Sequence, residues 1–170
     1  MKKILIIIMT LILLISGCSG SSIDEKVLEG QSLQAIIEKL YEIKDPGLAV
    51  GEIDVNMNDA DNLKYYSGLD SSENIEEIAV SETMIGAQAY SLVLVRTSSS
   101  SKSEEVAKEM REGIDPRKWI CVGADDIKVV TKGDLVMLFM VSSELSDMVT
   151  SSDMVAAFKE VAGPPDLELN

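Results

Sequence analysis

Histidine is absent from this chain of 170 residues, which removes the commonest general base near neutral pH and the commonest side-chain ligand for transition metals. Acid-base chemistry would then fall to carboxylates or lysine. Cysteine occurs twice, as Cys18 and Cys121, so at most one disulfide can form, and none if either thiol is otherwise engaged. Basic residues are few, 15 Lys and Arg against 29 Asp and Glu, for a net charge of −14. That balance argues against binding to nucleic acid or to anionic headgroups, both of which need a surplus of cations to displace counterions. Aromatic residues are also scarce, with one Trp, two Phe and four Tyr, so the core must be built from aliphatic side chains and methionine.

The beginning of the chain carries a strong signal. Met1-Lys2-Lys3 is a positive start, Ile4 to Ile15 is a neutral apolar run of 12 residues, and Ser16-Gly17 supplies the small residues a signal peptidase needs. The run is shorter than the roughly 20 residues a membrane-spanning helix requires, which favours cleavage. Ile15-Ser16-Gly17-Cys18 has the form of a lipobox, with cleavage expected between Gly17 and Cys18 and acylation of the Cys18 thiol by diacylglycerol and palmitate-type chains. Two buried acyl chains hold a protein on a membrane where one is marginal, since each buried CH₂ contributes about 0.8 kcal/mol. Loss of Lys2 and Lys3 would leave 13 basic residues against 29 acidic ones, a net charge of −16. With Cys18 lipidated, Cys121 is the one remaining thiol and the fold must rest on packing.

Residues 18–24, rich in Gly and Ser, are expected to form a tether, and residues 25–163 a single domain. Apolar spacing predicts a helix over 31–44, stopped by Asp45-Pro46-Gly47, and a bulged strand over 48–57. Asp54, Asn56 and Asn58 match the first positions of a calcium loop, but Asp59 stands where glycine is needed and Tyr65 where glutamate should close the shell. A turn and a short helix, 59–67, fit the same residues better. Strands follow at 76–82 and 88–97, the second apolar throughout and suited to the middle of a sheet. A helix is expected from Ser103, as cap, to Glu112. Next come a hairpin of 126–131 and 135–141 turning at Lys132-Gly133-Asp134, and a helix capped at Ser151 or Ser152 and ended by Gly163-Pro164-Pro165. Residues 164–170 read as a loose tail. The pattern predicts an α+β fold of two layers, a mostly antiparallel sheet with helices on one face.

Tyr65-Tyr66-Ser67-Gly68-Leu69, Ser81 to Gly86, Ala89 to Arg96, Asp115 to Cys121 and Val136 to Val141 occur in an order that resembles a domain-of-unknown-function family of Gram-positive bacterial lipoproteins. The similarity spans about residues 60–162 together with the lipobox. It implies an exported, membrane-attached domain without an established activity, and no catalytic residues to carry over.

Among the remaining residues, Asp115-Pro116-Arg117-Lys118-Trp119 sets two cations beside the single Trp. Arg117 and Trp119 are candidate ligand contacts by charge and stacking, set against a core role for Trp119. Cys121, in the run Trp119-Ile120-Cys121-Val122, is expected to be a buried structural thiol. No metal site, cofactor or catalytic set is expected; the nine methionines suit core filling. The sequence thus predicts a non-enzymatic, lipid-anchored protein on the extracytoplasmic face of the cell membrane, binding a protein or small molecule. An accessory subunit of an envelope or transport complex is the alternative, and a hydrolase without histidine a weaker one.

Overall fold

A computed structural model describes residues 24–170; the expected signal segment, Cys18 and the expected tether up to residue 23 lie outside the described residues. The chain forms helix α1 (Leu33–Ile43), strand β1 (Val50–Ile53), helix α2 (Ala60–Ser67), strands β2 (Ile75–Thr83) and β3 (Tyr90–Thr97), helix α3 (Ser103–Gly113), strands β4 (Asp126–Lys132) and β5 (Leu135–Val141), helix α4 (Ser151–Ala162) and strand β6 (Leu167–Leu169). No helix among the described residues is long and apolar enough to cross a membrane.

Local chemistry sets the helix ends. The Ser32 hydroxyl accepts from the Ala35 N–H at the start of α1, and the Asp59 carboxylate accepts from Asp61 and Asn62 at the start of α2. Two caps differ from expectation. Helix α4 starts from Thr150 in a capping box with Asp153, which leaves Ser151 free to bind Asp126 on β4. Ser103 is the first residue of α3 rather than its cap, because its hydroxyl is taken by the Gly133 carbonyl at 2.6 Å and by Thr97 Oγ1 at 3.0 Å.

The six strands form one antiparallel sheet in the order β1-β2-β3-β5-β4-β6. Two connections skip a position: β3 reaches β4 through α3, and β5 reaches β6 through α4. Each pair so joined is parallel, with one antiparallel strand between. Both crossovers step the same way across the sheet, but β3 and β5 run in opposite directions. A single crossover hand therefore puts α3 and α4 on opposite faces.

That is where they lie, so the fold is α+β as expected but the helices cover both faces in three layers, not one face in two. Leu92, Leu94, Val130, Met137 and Phe139 pack with α1 and α4, while Val93, Val95, Val129, Val136 and Leu138 pack with α3 and Leu63 of α2. Every residue of β3 and β5 is buried, so polar and apolar sides never alternate. Such strands are stable only with cover on both sides.

At one end of the sheet the buried Asp134 carboxylate joins the ends of the domain. Its Oδ1 accepts the Val27 N–H at 2.7 Å, and its Oδ2 pairs with Arg96 at 2.7 Å. Arg96 also donates to the carbonyls of Val27 and Gln31, fastening the segment before α1 across β3 and β5. Gly133, at φ 54°, lies against this segment: a Cβ there would come within 2.4 Å of the Glu25 carbonyl. The tail is fastened to the same turn, contrary to the expected loose end. Asp166 accepts from Gly133 N and pairs with Lys132, and this lays Leu167–Leu169 beside β4, with Leu167 and Leu169 packed on the α3 face. Three strand residues with two leucines are too short a pattern to stand out in sequence.

Arg96→Met is expected to destabilise the domain by about 3–5 kcal/mol, because it leaves the Asp134 charge buried without its partner. Urea denaturation of the variant against the wild type measures this; a loss below about 1 kcal/mol would show that the pair is not what holds this end together.

Candidate functional site

The opposite end of the sheet is formed by the loops 84–89, 114–125 and 142–150. All six large apolar side chains that are exposed among the described residues gather toward this end: Ile43, Tyr65, Met84, Ile85, Ile120 and Met148. From Asp134 to Met140, level with Glu82 in the sheet, is six residues along β5, or about 20 Å.

Loop 114–125 leaves α3 at Ile114 and is clasped at its neck by the Ala124 N–H donating to the Pro116 carbonyl at 2.8 Å. Within it Trp119 and Val122 turn inward onto the core, whereas Ile120 is 80% exposed and Cys121 is exposed. The buried-thiol expectation therefore fails. The apolar run is not a strand: Cys121 takes φ 64°, which reverses the chain so that Trp119 and Val122 reach the core and the two residues between them point out.

Lys118 is the centre of the site. Its side chain is 1% exposed, and Nζ contacts Glu82 Oε1, on a side chain only 9% exposed near the end of β2. Three rings surround the ammonium, with Nζ at 5.3 Å from the ring centre of Tyr65, 5.2 Å from Tyr66 and 5.3 Å from Trp119. Tyr65 and Tyr66 meet edge to face, their planes at 84°, so they form two perpendicular walls. The Tyr65 hydroxyl donates to the Lys118 carbonyl at 3.1 Å. Both tyrosines are placed by the end of α2, where Gly68, at φ 82°, lets the chain pass directly over α3: a Cβ on Gly113 would lie 2.0 Å from the Gly68 carbonyl.

Burial pushes the Lys118 ammonium below the ordinary lysine range, an effect the Glu82 carboxylate opposes. Burial, then the Glu82 charge, raises the Tyr65 phenol. Lys118 Nζ and Glu82 Oε1 touch each other but have no hydrogen-bond partner besides, and the Oγ of Ser91, the cross-strand neighbour of Glu82, has none at all. Three of the five such buried polar atoms among the described residues thus lie together.

Arg117 and Trp119, the candidate contacts read from sequence, do come together: with Cys121, Val122 and Gly123 they line a cleft of about 450 Å³. Arg117 is exposed and makes no ion pair among the described residues, and Trp119 is half-buried, one ring shared between cleft and cage. A second cleft, about 350 Å³, is lined by Cys121–Asp125 and Ser142–Glu144. Sequence reasoning missed Lys118, Glu82, Tyr65 and Tyr66 as a set. The paired tyrosines and the Lys-Trp pair were visible, but they lie 53 residues apart and only the fold joins them. Among the described residues no group of His, Cys, Asp and Glu is arranged to hold a metal. Comparison of the chain with family models, curated proteins and solved structures gives no match.

In a Cys18→Ser chain, where Cys121 is the single thiol, a thiol reagent should modify the native protein promptly with one equivalent. Cys121→Gly should raise stability by about 1 kcal/mol, by relieving a left-handed backbone on a side-chain-bearing residue. Slow labelling that waits for unfolding would place this thiol inside.

Proposed function

We propose that this protein is a lipid-anchored binding module of the extracytoplasmic membrane face, modified at Cys18, which meets its ligand through the loop end of the sheet. The observation that carries the reading is the division of labour between the two ends. The chain enters the domain at the Arg96–Asp134 end, while the exposed apolar side chains and both clefts lie at or toward the other. A lipid at Cys18 would hold the first end toward the membrane and present the second.

The lipobox supports the anchor, and the acidic balance of the exported part, −16, supports a domain held clear of anionic headgroups. A non-catalytic role fits the site: its lysine ammonium is enclosed and already faces a carboxylate.

Cells fed an alkyne analogue of palmitate should label the wild-type chain and not Cys18→Ser, and the wild type should fractionate with membranes. Equal labelling of both, or release of unmodified wild type into the medium, would defeat the anchor and with it the orientation of the domain on the membrane.

A further inference from the structure

Lys118 is poorly matched to the place it occupies. A lysine ammonium has three N–H donors and is strongly hydrated in water. Here it meets three ring faces and one carboxylate oxygen, so at least two donors are buried without an acceptor. Burying such groups unpaired costs free energy. A cation with no N–H would lose nothing in the same place: a quaternary ammonium is bound by ring faces and a nearby carboxylate through its charge and its methyl groups. The cage is better suited to that cation than to the lysine that fills it.

The segment that carries Lys118 is joined to the domain at a single neck. Residues 117–123 form a loop closed at its neck by the Pro116–Ala124 hydrogen bond, with Ile120 in solvent and a left-handed residue at Cys121. Its main link to the walls beyond Lys118 itself is the Tyr65 hydroxyl on the Lys118 carbonyl. The cleft beside Trp119 opens directly onto this segment.

We propose that Tyr65, Tyr66 and Glu82 form a binding site for a small quaternary ammonium compound, held closed by Lys118 as a resident stand-in until the 117–123 loop withdraws it together with Trp119. The ligand is a free solute rather than a lipid headgroup, since the cage lies about 20 Å along the sheet from the end at which the chain enters. The proposal rests on the reading of the domain as a binding module. That reading's anchor is tested through Cys18, so one can fail without the other.

The test uses the full chain in detergent, with Trp119, the one tryptophan, as reporter. Choline is titrated beside uncharged dimethylbutanol, which has carbon in place of the nitrogen. The expected result is a saturable fluorescence change with choline and none with dimethylbutanol, lost in Tyr66→Leu. In Lys118→Ala, where the stand-in is gone, the apparent affinity should be tighter by about tenfold or more, as expected when the competent state ceases to be a minor one. Glycerophosphocholine, the soluble headgroup, should bind more weakly than choline because its phosphate approaches Glu82; tighter binding would overturn the free-solute assignment. A wild-type response that is absent, equal for both probes, or intact in Tyr66→Leu overturns the proposal, as does a folded Lys118→Ala that binds choline no tighter than the wild type. Should Lys118→Ala fail to fold, the wild-type titration and its Tyr66→Leu control decide.

Discussion

The buried pair of Arg96 and Asp134 is the constraint on which the rest of this domain depends. The tight turn between β4 and β5 puts a carboxylate where no water reaches it, and a lone charge there would be prohibitive. Arg96 neutralises it, the second carboxylate oxygen accepts the Val27 N–H, and the guanidinium donates further to the carbonyls of Val27 and Gln31. The pair therefore needs the entering chain as much as the entering chain needs the pair. Lys132 and Gly133 on the same turn bind Asp166, and Gly133 accepts from Ser103, so the first segment, the start of α3 and the last strand all converge on it.

The second buried ion pair, Lys118 with Glu82, makes an instructive contrast. Each replaces water around a charge by protein, and the cost is recovered only when every donor and acceptor finds a partner. Asp134 and Arg96 come close to that condition, with both carboxylate oxygens bonded and the guanidinium donating to Asp134, Val27 and Gln31; Lys118 and Glu82 do not. Aromatic faces compensate the lysine charge but not its N–H groups. One end of the sheet is thus closed by a well-bonded pair, while the other holds a charge whose N–H groups face aromatic rings.

The parts of the fold legible in sequence are those with a dense local signal. The uniform apolar runs of 90–96 and 135–141 mark the two central strands, and Ser32, Asp59 and Gly68 mark helix ends by their own side-chain or backbone chemistry. The same apolar runs also implied cover on both faces, yet the count of helices alone does not say how they are shared; the opposite directions of β3 and β5 decide it. Strand β6 was hidden because three residues carry little period, and its place is fixed by Asp166 on a turn 33 residues earlier. Arg117 and Trp119 could be noticed as neighbours in the chain. The cage needed Glu82 from a strand and two tyrosines from a helix end, a meeting that no spacing encodes. Cys121 misled because an apolar run suggests burial, whereas a single positive φ turns two of its residues outward.

The position of that loop also bears on how the site can open without loss of the fold. The residues of 117–123 leave and rejoin the domain at one point, the Pro116–Ala124 bond, and none of them belongs to a strand or helix. Their release would break the contacts of Lys118, the Tyr65 hydrogen bond and the packing of Trp119 and Val122, but no ladder hydrogen bond of the sheet. Openings of this kind lie at the low end of a protein's range of local stabilities, far below global unfolding. The walls behave differently. Tyr65 and Tyr66 are set by the direct backbone contact of Gly68 on Gly113, and Glu82 is paired on both sides, to Gly51 of β1 and Ser91 of β3. A mobile occupant between fixed walls is what ligand exchange requires, because the free energy of opening is then spent on one loop and the geometry that recognises the cation is already in place.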